Sequence, residues 1–208
     1  MQKFLKMKII CIGRNYAEHA KELNNDVPTS PVVFMKPQTA LLQDNKPFYY
    51  PSFTQNLHHE IEVVLRISKN AKHIEEKFAH KYYDQIGIGI DFTARDLQDQ
   101  LKKKGQPWEL AKAFDHSAVM SKFVPLEGRD KSNIQFHLTK NGQTVQTGTT
   151  ADLIFSFDFL VSYVSQFFLL KTGDLIYTGT PAGVGAVQIG DVLEGFLEGK
   201  SMFSCEIK

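Results

Sequence analysis

The apolar positions of this chain fall into short runs, broken at close intervals by Pro, Gly, Asn and Asp, which is the pattern of strands joined by tight turns. Extended segments are predicted at residues 8–12, 32–35, 60–67, 85–90, 134–140, 175–178, 192–197 and 203–207. Asn141-Gly142 stands between two such runs, the strongest short-range signal for a two-residue hairpin. Helical spacing is rarer. It predicts helices at 15–23, closed by the Asn24-Asn25-Asp26 turn, and at 75–81, 93–103 and 156–169, the last with Gly173 just past its end. The stripe Phe157, Leu160, Val161, Val164, Phe167 and Phe168 is assigned to core packing. The chain therefore reads as one mostly β unit with few helices over its whole length, without repeats or linkers.

Composition narrows the function classes. With 208 residues, 42% of them hydrophobic and 23% charged, the chain can bury a core and is neither disordered nor membrane-spanning. Its 24 Lys and Arg against 23 Asp and Glu leave a net charge of +1, which argues against a nucleic-acid partner. Cys11 and Cys205 form no metal or disulfide framework, so a reducing, cytoplasmic setting is expected. No signal peptide is legible, and Met7 is an alternative start.

Glu60 and Glu62 carry the first chemical signal. In a strand they share one face, about 6.6 Å apart at ~3.3 Å per residue, while His59 turns away. Val64, next on that face, is apolar, and bare carboxylates in apolar surroundings call for a cation. Asp91 ends the run 85–90 and offers a third oxygen ligand. Three carboxylates without cysteine suit Mg²⁺ or Mn²⁺; a solvated strand face is the competing reading. His19 and Glu22, three apart on the first helix, can hydrogen-bond as a general-base dyad or form an ordinary polar face. Lys112 stands among apolar residues, either as a buried anion partner or as a snorkelling surface lysine. The loop Gly179-Thr180-Pro181-Ala182-Gly183-Val184-Gly185 lacks the lysine of a phosphate loop and the third glycine of a dinucleotide fingerprint, so nucleotide binding is disfavoured.

Six motifs in order, Gly13-Arg14-Asn15-Tyr16 with His19 and Glu22, Phe34-Met35-Lys36-Pro37, Glu60-Ile61-Glu62, Asp91 through Gln98, Lys112-Ala113-Phe114-Asp115 and Thr178 through Gly185, resemble the fumarylacetoacetate hydrolase superfamily. The pattern is most similar to short members that hydrolyse acylpyruvates or decarboxylate oxaloacetate. The resemblance implies an α+β fold, a mixed, mostly β roll or sandwich, in a protein that is usually dimeric. It implies Mg²⁺ or Mn²⁺ on Glu60, Glu62 and Asp91, and a water-activating dyad of His19 and Glu22 on a lid spanning about 14–25. Lys112 joins them as a catalytic residue, and Arg95, Gln98 and Thr180 line the substrate site. The implied reaction is hydrolytic C–C cleavage of a small 2-oxo acid through an enolate, with oxaloacetate decarboxylation as a related outcome. The alternatives are a 2-hydroxyhepta-2,4-diene-1,7-dioate isomerase/decarboxylase and a non-catalytic metal or oxo-acid binding module. The stretch Gln106-Pro107-Trp108 is where such chains vary, which leaves the far end of the substrate open.

Overall fold

The alternation IEVVLRI does not repeat cleanly because the strand it forms is buried on both faces. In the computed structural model, which describes residues 7–22 and 26–208, Ile61–Ile67 lies at the centre of a mixed sheet. Its neighbours on one side are Leu175–Tyr177, Ile9–Gly13 and Val32–Lys36, and on the other Tyr83–Asp91, Ala118–Met120 and Leu41–Leu42. Ile61, Val63, Leu65 and Ile67 face the larger core, which also takes Ile86, Ile88 and Ile90 and residues of the second sheet such as Phe136 and Leu138. Val64 faces a smaller apolar layer with Ile9, Cys11, Met120, Leu175 and Tyr177. Each fully buried Ile or Leu contributes roughly 1.5–3 kcal/mol, so both layers pin the strand that carries Glu62.

The second sheet is antiparallel, in the order Gln143–Thr149, Gln135–Lys140, Val192–Leu197, Lys200–Glu206. Its first hairpin turns at Asn141 and Gly142, with φ of +54° and +78°, the geometry that the Asn-Gly pair predicts. A three-stranded sheet, Gly185–Ala186, Leu57–His59 and Thr93–Ala94, sits where Glu60 and Arg95 enter the site.

Four α-helices occur among the described residues: α1 (Ala17–Glu22), α2 (Arg95–Lys103), α3 (Glu109–Lys112) and α4 (Phe157–Phe167). The helix expected at 75–81 is instead the 3₁₀ segment Glu76–Lys81. α4 is capped by Ser156, whose hydroxyl accepts the Phe159 N–H, and it buries Phe157, Leu160, Val161 and Val164 of the stripe, whereas Phe167, at the end of the helix, is exposed rather than packed in the core. It stops at Phe167, earlier than the spacing suggests, because Phe168 turns extended. Of the turn expected to close α1, Asn24 and Asn25 lie outside the described residues. No helix among the described residues is long and apolar enough to cross a membrane.

Among the glycines that close approach requires, two lie beside the acids and the start of α1. A Cβ at Gly89 would stand 2.3 Å from the Val119 carbonyl and 2.8 Å from the Tyr177 ring, which explains the glycine-spaced run before Asp91. At Gly179, with φ +106°, a Cβ would meet that of Asn15 at 2.7 Å. Asn15 in turn ties the end of the first strand to its surroundings: its amide donates to the carbonyls of Phe155 and Thr178, and its oxygen accepts the Phe155 N–H. The chain thus enters α1 from a fixed point.

Candidate active site

Register brings the three acids together. Ile61 pairs with Ile90 and Glu62 with Gly89, and the Asp91 N–H donates to the Glu60 carbonyl at 2.9 Å. Glu60, Glu62 and Asp91 are each at most 5% exposed, and each offers an oxygen within 4.8 Å of the others. Buried cations surround them. Lys112, delivered by α3, spends its three donors on Glu60 Oε2 (2.8 Å), Asp91 Oδ2 (2.7 Å) and Thr93 Oγ1 (2.6 Å). The Arg95 guanidinium donates to Glu60, and also to Gln98 Oε1 at 2.7 Å. Lys36 Nζ lies 2.7 Å from Asp91 Oδ1 and donates to the Ser117 hydroxyl at 2.8 Å.

The electrostatics of the acids differ. Burial raises the Glu60 carboxyl, but Lys112 and Arg95 outweigh it and hold the group well below the usual range. Burial and then the neighbouring Asp91 push Glu62 well above it. Among the described residues Glu62 has no ion-pair partner; one oxygen accepts the Gly179 N–H at 2.7 Å. Lys112 is raised: burial opposes its charge, and Asp91 and Glu60 overcome it. Asp91 Oδ1, although close to Lys36, is aligned for no hydrogen bond. A buried carboxyl whose charge is disfavoured by burial and by a neighbouring acid, and a buried oxygen without a hydrogen bond, both in an all-oxygen cluster, fit a hard divalent cation.

His19 reaches the same cavity from α1, which lines it together with Glu60, Glu62, Asp91, Arg95 and Thr180. It is 5% exposed, and its Nδ1 meets Glu22 Oε2 at 3.1 Å. Glu22 Oε1 accepts the Gly183 N–H at 3.0 Å, so the loop after Thr178 clasps the helix. Nε2 is the nitrogen left for chemistry. Thr180 accepts from Gln146 Nε2 at 2.9 Å, and Gln146 Oε1 accepts from His59 Nδ1 at 2.9 Å. His59 is thereby turned from the acids, as alternation predicts.

All nine sequence-predicted site residues meet at one cavity or its rim: Glu22, the outermost, touches it through His19. Sequence reasoning gave no role to Lys36 or Gln146. Lys36 carried a signal, a lysine closing an apolar strand just before Pro37. Gln146 carried none, since its partners are 34 and 87 residues away.

With this geometry in view, the chain matches the fumarylacetoacetate (FAA) hydrolase C-terminal family over residues 8–207. The chain belongs to the fumarylacetoacetate hydrolase family. Oxaloacetate tautomerase FAHD1, mitochondrial, of Bos taurus is 43% identical over 192 residues, 92% of this chain and 87% of the relative. Oxaloacetate tautomerase YcgM of Escherichia coli K12 is 43% identical over 197 residues, 94% and 90% of the two chains. Among solved structures, fumarylpyruvate hydrolase from Pseudomonas aeruginosa in complex with Mn²⁺ and pyruvate superposes with a TM-score of 0.92 at 37% identity, covering 99% of this chain and 91% of that one. A 2-hydroxyhepta-2,4-diene-1,7-dioate isomerase from Mycobacterium marinum is similar at 30% identity and a TM-score of 0.84, covering 98% and 75%. The mostly β fold is therefore that of the family, and these named family members are enzymes of hydrolase, tautomerase and isomerase type.

Proposed function

We propose that this family member is a Mg²⁺- or Mn²⁺-dependent enzyme of small 2-oxo acids that works through an enolate, hydrolysing acylpyruvates, interconverting enol and keto oxaloacetate and decarboxylating the keto form. The observation that carries the reading is the convergence on one buried cavity of three carboxylates and the His19–Glu22 dyad. The names of the 43%-identical relatives favour oxaloacetate as a substrate, and the dyad favours a hydrolytic capacity beside it.

A divalent cation held by Glu60, Glu62 and Asp91 would supply Lewis-acid stabilisation for the negative charge that develops on the 2-oxo acid. The chain's own residues do the rest. Arg95 and Lys112 place fixed positive charge beside the reacting group in a site that excludes water, where it costs no reorganisation during reaction. Gln98 and Thr180 orient the substrate carboxylate. His19, with Nδ1 held by Glu22, moves protons at Nε2: to and from C3 in tautomerisation, and from a water that attacks the distal carbonyl in acylpyruvate hydrolysis. α1, within residues 14–25, acts as the lid that completes this constellation. Isomerisation of a heptadienedioate is a second outcome of the same proton shuttle, supported by the isomerase likeness. The reading also carries a cytoplasmic homodimer that takes a small-molecule substrate.

Protein stripped with EDTA should turn over neither enol oxaloacetate, followed by its ultraviolet absorbance, nor acetylpyruvate, and should recover with Mg²⁺ or Mn²⁺. Oxalate, whose vicinal oxygens mimic a planar enolate, should compete with both substrates. Full activity in metal-free protein would overturn the reading.

A further inference from the structure

The inner end of the cavity is balanced in charge, but its outer end is not. Glu60, Glu62 and Asp91 are matched by Lys36, Arg95 and Lys112, all buried. Arg14 and Lys102 also line the cavity, and neither forms an ion pair or side-chain hydrogen bond among the described residues. A divalent cation at the acids would add to this excess, so the vacant positive charge calls for an anion.

Both residues are placed by the architecture rather than stranded on the surface. Arg95, Gln98 and Lys102 occupy positions i, i+3 and i+7 of α2, hence one face of the helix. A helical side chain leans toward the helix N-terminus, so the Lys102 stem runs back toward Gln98. Its ammonium lies 5.3 Å from the Trp108 ring centroid, and that of Lys112 lies 5.3 Å from the Phe34 ring. The two rings are 6.2 Å apart. One aromatic wall thus carries a lysine at its inner end, on the acids, and another further out. Arg14, which lines the same cavity, follows the first strand with φ of +60°, a left-handed conformation costing roughly 1–2 kcal/mol in a residue with a Cβ. The Asn15 anchor holds it there. Burial, followed by Arg95 and Arg14, pushes Lys102 below the usual lysine range; Asp99, the nearest opposing carboxylate on α2, is exposed and makes no ion pair with it.

We infer that Arg14 and Lys102 form a subsite for the second carboxylate of a 2-oxo dicarboxylate, and so select a four-carbon diacid over an acylpyruvate with a single carboxylate. This rests on the reading of the site as a 2-oxo acid enzyme and adds the feature that ranks its substrates. A charge-assisted hydrogen bond of this kind changes affinity by about 10- to 100-fold.

The test compares ligands with and without the distal carboxylate in wild type, Arg14→Gln, Lys102→Gln and the double variant. Kinetically, the ratio of kcat/KM for oxaloacetate to that for acetylpyruvate should fall about 10- to 100-fold in the double variant. Charge-conserving Arg14→Lys and Lys102→Arg should retain most of the ratio, which separates charge recognition from a folding defect. Binding supplies an independent readout, because Trp108 is the single tryptophan and lines the cavity. In Mg²⁺-loaded protein its fluorescence should report malate, an unreactive 2-hydroxy diacid, binding less tightly relative to oxalate in the double variant by a similar factor. An unchanged malate-to-oxalate ratio, or equal losses on oxaloacetate and acetylpyruvate, overturns the subsite. If wild type turns over neither substrate, the proposed function falls, while the malate titration still decides the fate of the subsite.

Discussion

The floor of the cavity and its lid are built on opposite principles. On the floor, Glu60, Glu62, Asp91, Lys36 and Lys112 are buried, and all but Glu62 are ion-paired; Glu62 is instead held by the Gly179 N–H. The proposed lid is α1, six residues long, far below the ~12–15 at which an isolated helix becomes stable. His19 makes one side-chain hydrogen bond, to Glu22, and Glu22 accepts one N–H from Gly183. In the proposed mechanism the charge that must stay fixed while an enolate forms sits among buried ion pairs. The group that carries a proton in that mechanism sits on a short helix tied to the loop after Thr178 by few hydrogen bonds.

This contrast predicts unequal responses to substitution. The largest belongs to the floor: Glu62→Ala should abolish Mn²⁺ binding measured by calorimetry, and retained binding would move the cation site elsewhere. Lys112→Met removes the main partner of two buried carboxylates and should destabilise the metal-free protein by about 3–5 kcal/mol in denaturant titration. A loss under 1 kcal/mol would show that the floor relaxes as easily as the lid. Gly183→Ala attacks the clasp, since its backbone has φ +97° and a Cβ would stand 2.5 Å from the Val145 carbonyl. It should cost roughly 1–3 kcal/mol and slow turnover without weakening Mn²⁺ binding. The smallest effect lies outside the residues that line the cavity, on the strand Leu57–His59. Burial, then Arg95, pushes the His58 imidazole down from 6.5 to about 4. Because the unfolded chain takes up this proton at higher pH than the folded one, the group's contribution to stability is complete above about pH 6.5 and falls as pH drops toward 4. His58→Gln should flatten that part of the stability profile, and an unchanged slope would assign the acid limb to other groups.

Local rules reach some of these features and miss others. The Asn-Gly hairpin, the Glu-x-Glu face and the stripe on α4 are written in spacing, because period and turn chemistry act over a few residues. That Glu60 and Asp91 are neighbours depends on the register of two long strands, which only the packed sheet sets. α3 has four residues, too few for periodicity to register, yet it is the element that delivers Lys112 to the acids. The segment Glu76–Lys81 has helical composition but forms a 3₁₀ turn packed on α4. Gln146 and Lys36 act through partners far along the chain, so the motif around Lys36 showed that it was unusual without showing why.

The division of labour between floor and lid is tested most directly by His19→Ala assayed on two reactions in parallel. Hydrolysis of acetylpyruvate needs a proton drawn from water, whereas loss of CO₂ from oxaloacetate needs only a sink for electrons at the floor. The account predicts that hydrolysis falls by the ~10²–10⁴-fold typical of a lost general base, while decarboxylation falls far less and Mn²⁺ binding is retained. Equal losses in both reactions would contradict it, and would make His19 a residue that shapes the closed cavity rather than one that moves the proton.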